Sequence, residues 1–340
     1  TANNPDGGTI RLIAGGELVL RQGSTVLAMA ADSTITLESR HSMVLGSASA
    51  VSAGVQFNGT EPEVAGERAS VFLFAGEELW IAGTVSATDR LSITMGNPNA
   101  DTPASVDYRD AYFDTLDDDH RLFQAAGTNN PEFGFLLTGT LTTLGNDGDI
   151  TISGDGAVLI VGDIDIRGNA TNLTLQSDSW LYWEGEASVS GDIRLYGGVA
   201  QSGIELLDRD GSNAQGSSLV VASTSILKTT GDESEIKLIG SKDVQVEGVL
   251  LAGAEAGESG VSFARDDNTL RVESLNGQLR IDSTLAVAGE SVLKGGNPEA
   301  LEGVGLVVTT KGGVTAEDAI TIESGGHLEM MGTLLAGGTP

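Results

Sequence analysis

The sequence predicts an all-β protein, a parallel β-helix or solenoid with three short strands in each coil of about 21 residues and one irregular insertion. Three observations lead there. Short alternating apolar segments end in glycine again and again. They recur at a near-constant spacing. The composition suits many short strands joined by tight turns: 47 glycines, 7 prolines, 40% hydrophobic residues and only 4% aromatics in 340 residues.

The glycine-terminated segments are residues 78–83, 157–162, 179–185, 243–248, 283–289 and 326–332. Most are followed by a second short segment, as at 163–168, 186–191, 249–253 and 333–337. A third lies upstream, at 70–75, 149–153, 172–177, 235–240 and 319–324. In the unit ending at Gly332 the apolar positions are Ile320, Ile322, Leu328, Met330 and Leu334, and the unit at Gly248 repeats them as Ile236, Leu238, Val244, Val246 and Leu250. Such period-two alternation points one set of side chains into a core and the other into solvent.

From Gly162, the steps to Gly185, Gly248, Gly289 and Gly332 are about 23, 63, 41 and 43 residues; read as one, three, two and two units, they give about 21 per unit. That is too short for a propeller blade. A leucine-rich repeat fits the length, but it needs a recurring Asn and a helical half, and neither is visible. About 300 residues then make about 14 coils, a rod about 65–70 Å long at about 4.8 Å per coil.

The organisation reads as coils over 1–96, an insertion over 97–135, and coils continuing over 136–340. The insertion carries an acidic run and a large share of the aromatics, with a short helix expected near residues 106–116. Residues 208–218 read as a polar loop. The pattern runs from Thr1 to Pro340, which suggests a piece of a longer chain, and no signal peptide is visible.

A formal charge of −30, from 48 acidic and 18 basic residues, repels nucleic acid and anionic membranes and attracts divalent cations. No apolar run is long enough to span a bilayer. With no cysteine there is no disulfide, thiolate metal site or cysteine nucleophile.

The degenerate units at 34–54 and 319–337 resemble the β-helical repeat regions of large bacterial secreted and surface proteins, filamentous-haemagglutinin-like or giant repeat adhesins. The resemblance lies in pattern and covers most of the chain outside the insertion. It implies a right-handed shaft at the cell surface or outside the cell, serving adhesion, display or end-to-end assembly. Its partners would be other segments or copies of the same protein and cell-surface glycans, and its role would be structural rather than catalytic.

The chemical candidates are few. Asp114, Asp117, Asp118 and Asp119 in the insertion offer oxygen ligands to Ca²⁺, or are a solvated charge run without the spacing of a helix–loop–helix calcium site. Asp208 and Asp210, with Ser212, open like a calcium loop but lack its closing Glu, and Asx turns account for them equally well. Trp180 and Tyr182 share one strand face, with Trp183 on the other; they either stack on a sugar ring or fill apolar space. His41 and His327 read as strand-edge residues, and His120, beside Asp119, could join a metal site. A glycan-cleaving β-helix needs two convergent carboxylates, and pairs such as Asp163 with Asp165, or Asp192 with Glu184, do not supply convergence; Arg109 and Arg121 flank the acidic run. No GxSxG, HExxH or phosphate loop is present.

Overall fold

The structure, a computed structural model, describes residues 7–58, 61–96, 133–154, 156–198, 217–257, 260–296 and 304–337. These residues form no helix, and so no helix long and apolar enough to cross a membrane. Strands follow one another in triplets, one on each of three faces. Thr34–Ser39, Met43–Leu45 and Ala50–Ala53 make one coil, and Ser70–Ala75, Leu79–Ile81 and Thr84–Ala87 stack on it in parallel register. Faces one and two are each an unbroken sheet of 11 strands in chain order. Face three is divided into a sheet of 5 strands and a sheet of 6. The molecule is therefore the predicted parallel β-helix, with eleven coils numbered here from Thr9–Ala14 to Ala319–Ser324.

Alternation decides what lies inside. In Thr34–Ser39, Ile35 and Leu37 are fully buried while Thr34, Thr36 and Glu38 point out. The register stacks like on like: Ile35 meets Val71, which meets Leu91, then Ile150 and Leu173. The result is one continuous core running through every coil. Each fully buried aliphatic side chain contributes about 1.5–3 kcal/mol. Branched aliphatics dominate this core, and among the described residues Trp183 and Phe135 are the two aromatic side chains among the largest fully buried ones. This accounts for the low aromatic content.

The recurrent glycine has a steric cause. At the corner between faces two and three, a Cβ on Gly139 would lie 2.0 Å from the Gly83 carbonyl oxygen, and one on Gly162 would lie 2.1 Å from that of Gly139. Stacked coils touch backbone to backbone there, and only glycine leaves the room. At the corner between faces one and two, serine hydroxyls donate to the carbonyl three residues on: Ser39 to Ser42 at 2.7 Å and Ser177 to Trp180 at 2.8 Å.

Three expectations change. The described residues make eleven coils rather than about fourteen, a stack about 50 Å long at about 4.8 Å per coil. Residues 283–289 belong to face three, as Thr284–Val287, and the face-two strand of that coil is Leu279–Ile281. There the corner glycine is replaced by Ser283, which removed the marker and shifted the alignment. The step from Gly185 to Gly248 spans two coils, not three, because chain outside the described residues lies between them. Uninterrupted coils do keep the expected length: face-one strands start at Asp149, Asn172 and Ile193, about 21–23 residues apart.

Two further features lengthen coils. Antiparallel hairpins follow the face-three strands of coils 2 and 8: Val55–Asn58 with Glu61–Val64, and Ala254–Gly257 with Gly260–Phe263. In coils 4, 7 and 10 the chain leaves the corner between faces one and two after a glycine of positive φ: Gly96, Gly198 and Gly296 (φ 95, 69 and 84). It returns each time through a one-residue register shift, at Phe133/Phe135, Ser217/Leu219 and Val304/Leu306.

Core and surface positions should respond very differently to truncation. Leu238→Ala is expected to lower the unfolding free energy by about 2–5 kcal/mol, and Thr36→Ala by less than about 0.5 kcal/mol, in urea titrations followed by circular dichroism. Equal costs would mean that inside and outside are assigned wrongly.

Candidate functional site

Among the sequence candidates, Trp180 and Tyr182 lie in the described residues, whereas Asp114, Asp117, Asp118, Asp119, Asp208 and Asp210 lie outside them, as do Arg109, His120, Arg121 and the expected helix at 106–116. Tyr182 is the central residue of Leu181–Trp183 on face two. Its neighbour Leu181 points inward and is fully buried, as is Trp183, whose indole donates to the Gly185 carbonyl at 3.0 Å. Tyr182 points outward and is half-buried.

Parallel register gathers more around it. Trp80, Leu136, Leu159 and Tyr182 pair in succession across coils 3 to 6 and form one outward column on face two. Leu136 and Leu159 are buried, together with Ala157, and Trp80, Trp180 and Tyr182 pack against them. The polar edges of the rings are engaged locally. The Trp80 indole donates to the Thr138 hydroxyl at 3.0 Å, and the Tyr182 hydroxyl donates to Glu184 at 3.0 Å. Burial, and then the Glu184 carboxylate, push the Tyr182 phenol well above its usual range, so it stays protonated at any physiological pH. Sequence inspection found the two rings of coil 6 but missed Trp80, about 100 residues earlier. The signal was the shared place of Trp80, Leu136, Leu159 and Tyr182 within their strands, legible only once the coils are counted correctly.

Further along, the column turns polar, through Val220, Gln245 and Arg280 to Val307 and Glu329. Arg280 pairs with Asp282, which also accepts from the Thr309 hydroxyl. Burial opposes ionisation of Asp282, but these hydrogen bonds, with the charges of Arg280 and Lys311, hold its carboxyl below its usual range.

The remaining candidates disperse. The His41 ring nitrogen Nδ1 meets Glu77 at 2.8 Å at a coil corner, and His327 is exposed at the start of His327–Met330. Asp163 is exposed, Asp165 binds Arg167 at 2.8 Å, and Asp192 pairs with Arg194 and accepts from the Glu235 amide at 2.8 Å. Among the described residues no three His, Asp or Glu side chains come close enough to hold a metal ion. The described chemistry of this face is thus apolar stacking bordered by carboxylates.

No protein-family model, no curated protein and no solved structure matches this chain.

The Asp282 contacts have a pH signature. A carboxyl held low in the folded state stabilises the fold above its unfolded pKa of about 3.9, and that stability fades as pH falls through the lower folded value. Asp282→Asn should cost about 1–2 kcal/mol at pH 7 and progressively less towards pH 3, by urea unfolding at each pH. A cost that does not change with pH would refute the charged role.

Proposed function

We propose that this chain is a length of structural shaft in an extracellular or cell-surface protein, holding other parts at a distance and joining further coils at its ends. Its role is mechanical, and no catalytic step is assigned to it. The observation that carries this reading is the pair of uninterrupted eleven-strand ladders around one core: hydrogen bonds run along the axis, so the coils resist extension together. The end coils add support. Leu328 and Leu334 of coil 11 occupy positions that are fully buried in interior coils, yet they are 49% and 42% exposed. Leu12 of coil 1 is 38% exposed. A further coil, from the same polypeptide or from a second copy, would cover them.

A second reading is a surface module that binds a glycan or calcium. It is favoured by the gathering of Trp80, Trp180 and Tyr182 on one face.

Two experiments separate these readings. For the shaft, small-angle scattering should give a stiff rod, and sedimentation should show assemblies that grow with concentration and disappear in the Leu328→Lys/Leu334→Lys variant. A monomer at every concentration would count against end-to-end joining, and a compact globule would end the shaft reading. For the module, Trp80→Ala and Tyr182→Ala should each weaken retention on neutral polysaccharide affinity gels by about tenfold, in line with about 1–1.5 kcal/mol per ring contact. The calcium form requires a melting temperature that rises with calcium, falls with chelator, and loses that response in Asp117→Asn/Asp118→Asn/Asp119→Asn.

A further inference from the structure

The eleven coils contain a duplication. Coils 1 to 5 recur as coils 7 to 11, about 170 to 200 residues later, except that coil 7 has an exit that coil 1 lacks. The hairpins after coils 2 and 8 have strands of the same lengths. Backbone bonds repeat pair by pair. The Asp32 amide donates to Glu67 at 2.8 Å, and Glu233 to Asp266 at 3.1 Å; Ser70 donates to Ser33, and Thr269 to Ser234; Ala65 donates to Gly54, and Ala264 to Gly253. Asp32 and Glu233 share a φ of 55, a conformation that recurs at this corner in other coils, at Arg68, Asp147, Ala170 and Asp267. The exits at Gly96 and Gly296 are both followed by Asn-Pro in the sequence. Coil 6 has no counterpart in this match.

Coil 6 is also where face three divides. Asp163–Ile166 of coil 5 ends one sheet, and Glu186–Val189 of coil 6 begins the next. In most coils the first residue of a face-three strand donates to the preceding coil, as Asp163 to Gly139 at 3.0 Å, Ile226 to Gly185 at 3.1 Å, and Val249 to Ser225 at 2.8 Å; Thr284 of coil 9 does not, but its strand still pairs with the one before it from Leu285 onward. Glu186 makes no such bond among the described residues. The gap is bounded. On one side the Glu184 amide still reaches Ile160 at 2.7 Å, and on the other Gly191 reaches Thr171 at 2.9 Å, with the Ser190 hydroxyl bonded to the Gly168 carbonyl at 2.9 Å.

The packing changes there as well. Trp183 is the largest of the fully buried side chains and sits where neighbouring coils carry Ile160 and Val221. On the next face the inward residue of coil 6 is Ala187, small where its partner on the following coil is Leu227. Asp163–Ile166 and Glu186–Val189 lie side by side without pairing, and Gly185 between Trp183 and that strand has a φ of 148, where the corner glycines Gly139 and Gly162 have no positive φ. Asp163 and Glu186, the exposed first residues of the two facing strands, add like charge across the gap. Neither hairpin spans it by an ion pair: Glu61 of the first reaches Arg167 in coil 5 at 3.4 Å, and Glu255 of the second reaches Lys228 in coil 7 at 3.2 Å.

We infer that the molecule is two copies of a five-coil block coupled through coil 6, and that the junction of coils 5 and 6 is a built-in joint at which the rod bends by opening face three, wedged by Trp183. Two ladders hold the joint where three hold every other junction. The inference rests on the rod's geometry and not on its role as a shaft.

Hydrogen–deuterium exchange on the intact chain tests it. Amides over 185–189 should exchange at least about tenfold faster than those of Thr140–Thr143 and Ile226–Thr229. Moving volume from one wall to the other, in Trp183→Leu/Ala187→Leu, should slow exchange over 185–189 to the level of those neighbours. Should that pair fail to fold, Trp183→Phe, which is smaller and lacks the indole donor, should still slow it at least about threefold. Uniform protection along face three in the wild type, or an unchanged fast segment in a folded variant, would overturn the joint.

Discussion

Everything in this molecule depends on one constraint: each coil must present to the next the same inward pattern in the same register. A parallel ladder forces residues at equivalent positions into columns, so the core is built column by column. Where the column is aliphatic, as from Ile35 to Leu173, every side chain in it is fully buried between its neighbours. Where backbone meets backbone, as at Gly83, Gly139 and Gly162, a side chain is excluded. A slip of one residue would turn Ile35 and Leu37 outward and bring Thr36 and Glu38 in, which explains why alternation is kept so strictly while identity drifts.

Much of this was legible in the chain because the constraint acts on local pattern. Alternation and corner glycines disclosed the strands, their grouping in threes and the coil length. The failures came where a corner changed chemistry. Ser283 stands where a glycine was expected, and a face-three strand was aligned to face two in consequence. The hairpins escaped notice because Val55–Asn58 and Ala254–Gly257 run on from a face-three strand after a single glycine, with nothing in their composition to separate them from another coil strand.

The aromatic column was half legible, for a different reason. Trp180, Tyr182 and Trp183 share a short stretch, so their division between outside and inside follows from alternation alone. The approach of Trp80 depends on the number of coils between it and Tyr182, and hence on loop lengths that no local rule determines. Trp183 shows the converse: its inward direction is predictable, but the division of face three at its coil is not legible in any local pattern.

The exits after Gly96, Gly198 and Gly296 share one design, a left-handed glycine out and a bulged strand back. Stretches of very different length separate each exit from its return, three coils apart, and the core of the described coils is continuous. Loop length costs little entropy once the ends are held together. That edge therefore resembles a socket rail: new sequence can be fitted at a fixed pitch of about 14 Å without altering the ladders or the core they enclose.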